Sequence, residues 1–157
     1  MLKTSAKEFL IEKGPIEKLR RLRDTKDATG YDQHLWKKMA EMGWASLNIP
    51  EAYGGLDFGY TGLGQVLEES GRTLTASPLI SSALLSATAI NLGGSDSQKK
   101  ELLGQIASGT LVATLALEES KHHNPDSIHT TVKKSGNGYV INGTKLAVID
   151  GLSLIHI

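Results

Sequence analysis

The sequence predicts an α+β chain, an all-α helical bundle followed by the beginning of an antiparallel β-domain. Apolar residues recur at helical spacing from Met1 to Gly109. Beyond Gly109, β-branched residues gather in short runs bounded by glycine and asparagine. Between the helical runs, the stretch Gly43–Gly55 carries Trp44, Leu47, Ile49 and Tyr53 among the breakers Gly43, Pro50 and Gly54-Gly55. That composition predicts a connector buried among the helices it joins. The expected division is a helical domain over 1–109, an incomplete β-domain over 110–151 and a tail over 152–157.

The elements follow in order. Ser5 and Glu8 have capping-box spacing, with Ala6, Phe9, Leu10 and Lys13 at helical intervals after them. Gly14-Pro15 interrupts. Ile16, Leu19 and Leu22 mark one face of a second helix, whose other face holds Lys18, Arg20, Arg21 and Arg23 and reads as solvated. Asp32 is the expected N-cap of a helix with Leu35, Met39 and Met42 inward and Trp36 flanking. After the connector, Thr61 is the expected cap of a helix that buries Leu63, Val66, Leu67 and Leu74. Gly62-Leu63-Gly64 lacks the third glycine of a dinucleotide loop and has no strand ahead of it. Ser77-Pro78 opens a thin, apolar helix whose main face is Ile80, Ala83, Leu84, Ala87 and Ile90. Ser95 and Gln98 form a second capping box, with Leu102, Leu103 and Ile106 inward and Gly109 as the terminal cap.

Thr110–Leu117 reads as the first strand. Thr130–Lys133 and Tyr139–Ile141 read as a pair joined by a turn at Ser135–Gly138. Asn142-Gly143 is a turn signal before a further strand at Lys145–Ile149. Strands left unpaired at this point imply that the natural gene runs on. Residues Leu152 to Ile157 resemble the translation of a transposon-end sequencing adaptor and are read as a non-native tail.

Lysine plus arginine total 17 and aspartate plus glutamate total 17, so the chain lacks the basic surplus of a nucleic-acid binder. There is no cysteine, which rules out disulfides and thiolate metal sites and fits a cytoplasmic setting. The first residues lack the apolar core of a signal peptide. The most apolar window, Leu79–Leu92, is too short and too polar to span a bilayer. Glu118, Glu119, His122, His123, Asp126 and His129 invite a metal site. Neighbouring His122 and His123 do not easily face one ion, so a solvated loop is expected and no metal ligand is assigned.

The stretch G-W-x-x-L-x-I-P-E-x-Y-G-G over 43–55, together with Gly62–Arg72 and the sequence on to Gly151, resembles the acyl-CoA dehydrogenase family. The resemblance implies a helical domain and a β-domain that hold FAD against a C-terminal bundle. It implies that the bundle's glutamate removes the α-proton of an acyl-CoA as the β-hydrogen leaves as hydride to the flavin. No catalytic residue is carried over to this chain. The family's F-A-L-T-E-P is here Leu115-Ala116-Leu117-Glu118-Glu119-Ser120, and its K-x-W-I-T-N-G is Lys145-Leu146-Ala147-Val148-Ile149-Asp150-Gly151. The implied cofactor-binding residues are therefore Leu117, Glu118, Ala147 and Ile149. Glu118 and Ile149 stand where the family has flavin-facing threonines, and Ala147 where it has tryptophan. The implied partners are an acyl-CoA substrate, electron-transfer flavoprotein or a similar acceptor, and further subunits in a homo- or hetero-oligomer. The alternative implied by those replacements is a flavin-poor, non-catalytic partner subunit.

Overall fold

A computed structural model describes residues 1–151, so the expected tail at 152–157 lies outside the described residues. Six α-helices precede Gly109: α1 (Leu2–Lys13), α2 (Ile16–Asp24), α3 (Gln33–Glu41), α4 (Gly59–Thr73), α5 (Ala87–Gly93) and α6 (Asp96–Ala107). Two 3-10 turns, Trp44–Ser46 and Glu51–Tyr53, lie between α3 and α4, and a π-helical segment, Leu79–Ser86, runs directly into α5. A two-stranded antiparallel sheet follows, β1 (Thr131–Ser135) with β2 (Gly138–Asn142). The expected order of helices first and antiparallel strands second is what the chain adopts.

The first half of the connector between α3 and α4 is buried, because it is apolar and its backbone polar groups are met locally, whereas Glu51, Ala52 and Gly54 in its second half are exposed. Trp44, Ala45, Leu47 and Ile49 are in the core, and Phe9 of α1 meets Trp44 edge-to-face at 5.3 Å. Leu47 O accepts from the amides of Phe58 and Gly59, Ile49 O from Asp57 and Ser46 O from Leu56. The chain thus folds back on itself without leaving those carbonyls orphaned. Only glycine fits at 55, where an added Cβ would lie 1.8 Å from Ile49 O. Below the connector, α1 packs along α4 through Ala6 and Leu10. A second cluster unites Ile49, Ala87, Leu103 and Ile106.

Two expected caps form. Asp32 accepts from the amides of His34 and Leu35, and Ser95 and Gln98 make their reciprocal box. Two do not. Helix α1 begins at Leu2, which places Ser5 inside the helix, its amide bonded to Met1 O. Helix α4 begins at Gly59, ahead of Thr61.

The burial pattern departs from expectation at four places. Trp36 is buried and Met42 is 38% exposed, because α3 ends at Glu41 and Met42 has left its face. Leu74 sits in the left-handed region at φ 51° beyond α4 and faces solvent. Leu102 is only partly buried, and Ala107 completes the inner face of α6. In the π-helical segment, i→i+5 bonding widens each turn by one residue. Its buried face therefore recurs at Leu79, Ala83 and Ala87, serines 81, 82 and 86 are inside, and Ile80 is outside. The basic residues of α2 are engaged at the surface, Lys18 with Asp32 and Arg23 with Asp24.

The hairpin turns where expected, with Ser135 opposite Gly138. The strands expected at Thr110–Leu117 and Lys145–Ile149 do not join this sheet. The first part of Thr110–Leu117 is held against the helices instead: Val112 packs on the first core cluster, Leu111 and Ala113 on the second, and Leu115–Leu117 are exposed. The β-rich composition that suggested a strand thus serves burial of Leu111, Val112 and Ala113 between two helical clusters.

Candidate functional site

The approach to the site starts at Gly109. Helix α6 ends at Ala107, and Gly109 turns the chain at φ +72° beneath Trp36, whose Nε1–H donates to Gly109 O at 3.0 Å. A Cβ there would meet Ala40 Cβ at 2.5 Å, so the turn needs glycine on both steric and conformational grounds. The chain then crosses the π-helical segment, where the Ala113 amide donates to the buried Ser82 Oγ at 3.2 Å. From there it meets the 145–149 segment.

Those two segments lie side by side. The Leu146 amide donates to Glu118 O at 2.7 Å, and Thr114 Oγ1 donates to Ile149 O at 2.7 Å. The four residues singled out from sequence, Leu117, Glu118, Ala147 and Ile149, therefore stand on one pair of adjoining segments. Leu117, Ala147 and Ile149 are exposed, and Ala147 has φ 49°. The amides of Leu117 and Glu118 meet no acceptor among the described residues. They are donors available to a ligand that carries ring carbonyls or ring nitrogens.

The side chain of Glu118 is occupied elsewhere. Its carboxylate accepts from His123 Nδ1–H and from the Asn124 amide, and the His123 bond holds it below the usual carboxylate range. The residue therefore closes the 118–124 loop on itself.

Sequence reasoning passed over Glu119 except as a metal ligand. Its side chain is 5% exposed and it accepts from four donors: Lys145 Nζ at 2.7 Å, Thr130 Oγ1, and the amides of His129 and Thr130. The Lys145 bond first and the Thr130 hydroxyl second push its carboxyl down to about 2. The available signal was an acid and a lysine flanking the hairpin, Glu119 before it and Lys145 after it. The residues of the suggested metal cluster are spread over separate partners, with His129 Nε2 at Ser127 and Ser120 Oγ donating to His122 O. Among the described residues no three of His, Asp or Glu converge as a metal would require. A groove of about 360 Å³ beside Tyr31, Trp36 and Val112 includes none of the four site residues. Among the described residues no helix is long and apolar enough to cross a membrane.

The family model described as acyl-CoA dehydrogenase, N-terminal domain, matches residues 1–110. The acyl-CoA dehydrogenase FadE12 of Mycobacterium tuberculosis strain H37Rv is 32% identical over 120 residues, covering 75% of this chain and 31% of that protein. Among solved structures, the Tcur3481-Tcur3483 steroid ACAD G363A variant superposes with a TM-score of 0.82 at 31% identity, over 94% of this chain and 40% of that one. The ChsE4-ChsE5 complex from Mycobacterium tuberculosis gives 0.80 at 28% identity, over 94% and 39%. The chain spans about a third of the length of the curated relatives it matches. The match across 1–110, where the buried connector, its glycines and both formed caps lie, places this chain in the acyl-CoA dehydrogenase family.

Proposed function

We propose that this chain is the front part of an acyl-CoA dehydrogenase that oxidises the α,β C–C bond of an acyl-CoA thioester. The observation that carries the reading is the pair of open amides at Leu117 and Glu118, set beside the 145–149 segment in a chain of this family. FAD, when bound, supplies the hydride acceptor that side chains cannot provide. The residues present fit such a group. Backbone donors do not depend on side-chain type, so Glu118 and Ile149 in place of hydroxyl residues leave the amides available. The Glu118 carboxylate is held by the His123 ring and the Asn124 amide within its own loop. Leu117 and Glu118 donate, while Ala147 and Ile149 line the same seam and help exclude water.

In this reading the helical domain ends at Gly109 and the β-domain begins at Thr110. The complete protein takes an acyl-CoA as substrate, passes electrons to electron-transfer flavoprotein or a similar acceptor, and works as an oligomer in the cytoplasm. No residue of this chain is assigned as the base. The test is the colour of the complete purified protein. It is expected to be yellow and to bleach anaerobically with its acyl-CoA; a colourless protein that takes up no added FAD overturns the reading.

A second reading is favoured by the loss of side-chain hydroxyls at both 118 and 149 and by the likeness to a steroid ACAD and to a two-protein complex. In it, this chain is the flavin-poor subunit of a heteromer that acts on a bulky acyl-CoA. Copurification separates the two. A chain that binds FAD and turns over substrate alone excludes the second reading.

A further inference from the structure

We infer that Glu119 and Lys145 form a positioning pair that orients and polarises the Glu118 amide as a cofactor donor. The inference rests on the flavin reading above.

Among the described residues a single backbone hydrogen bond, Leu146 N–H to Glu118 O, joins the 114–118 and 145–149 segments, and neither belongs to a ladder. Their relative position must be set by side chains. Glu119 draws three donors from 129–130, at the entry to β1, and one from Lys145, beyond the end of β2. A single carboxylate, its side chain 5% exposed, thus holds three stretches of chain together. Removing one partner of such a pair would leave the other charge uncompensated.

Lys145 has a second bond. Its Nζ donates to Leu117 O at 3.2 Å. That carbonyl and the Glu118 N–H belong to the same peptide unit. The unit is planar and trans, so its carbonyl and its N–H point in opposite directions. With the carbonyl held on the ammonium, the N–H is directed away from Lys145 and finds no acceptor among the described residues. A cation on the carbonyl also draws electron density through the amide, which strengthens the N–H as a donor. The next peptide is fixed as well, because Glu118 O accepts from Leu146. Glu119 holds Lys145, Lys145 holds the Leu117 carbonyl, and the Glu118 amide is set as a result.

The test uses the complete protein with Glu119→Gln, Lys145→Met and Lys145→Arg. FAD affinity is measured by titration, and amide hydrogen exchange is measured on the cofactor-free protein. Glu119→Gln and Lys145→Met are expected to weaken FAD binding at least tenfold and to lose protection at Thr130 and Leu146, with α4 and α6 unchanged. Lys145→Arg, which keeps the charge and the donors, is expected to retain most of the affinity. Variants that bind FAD as the parent does overturn the inference and leave the flavin reading standing, whatever their exchange pattern. Weak binding by Lys145→Arg equal to that of Lys145→Met also overturns it. A parent protein that takes up no FAD overturns both.

Discussion

The two halves of the chain are held by different forces. Up to Gly109 the helices bury their own apolar surface around the connector, and Trp44, Leu63, Leu103 and Ile106 are inside. From Thr114 to Gly151 almost nothing is buried; every residue of β1 and β2 is exposed. There the organising interactions are polar and local, centred on Glu119, Lys145 and Glu118. Apolar burial is non-directional and tolerates sliding, whereas hydrogen bonds to a fixed carboxylate do not. The first half is therefore held by packing, and the second by directional polar contacts.

The largest blow to this contrast is Trp44→Ala. Removing a fully buried indole from the middle of the first cluster should cost about 3–5 kcal/mol. Urea denaturation should show the helical unit losing most of its stability, and a loss below 1 kcal/mol would mean that the connector is not the centre of the core. Gly55→Ala should cost about 1–3 kcal/mol, because the new methyl meets the Ile49 carbonyl and the connector must shift.

Acid separates the halves more finely. The Glu119 carboxyl is lowered from 4.5 to about 2 in the folded chain. A lowered folded value means that its contribution is fully present above about 4.5 and is lost as pH falls towards 2. Protection of the Thr130 amide should fade over that window while the cores of α4 and α6 persist. In Glu119→Gln the window should vanish; an unchanged profile would assign the acid response to other carboxylates. The smallest effect is expected at Leu74. This exposed residue carries the backbone conformation that glycine adopts freely, so Leu74→Gly should stabilise by up to about 1 kcal/mol in thermal melts. A destabilised variant would show that the leucine side chain packs to advantage.

Legibility followed the same division. The connector, the Asp32 and Ser95 caps and the 135–138 turn were readable because each depends on residues within a few positions of one another. The Ser5–Glu8 box was misleading, since a spacing rule cannot see that Leu2-Lys3-Thr4 already extends the helix. The π-helical segment was missed because helical spacing assumes a period that i→i+5 bonding changes. Of the candidate site, the alignment of motifs picked out Leu117, Glu118, Ala147 and Ile149, which the fold sets on two adjoining segments. The partners of Glu119 at 129, 130 and 145 lie far along the chain, and no local pattern announces them.

The hairpin has a practical corollary. Tyr139 and Ile141 are 71% and 70% exposed, Val132 and Val140 are open on the ribbon, and among the described residues neither strand pairs with a third. Such a surface templates its own stacking. Solutions of this 157-residue chain should scatter light more strongly as concentration rises, and a lysine at 139 or 141 should keep them clear.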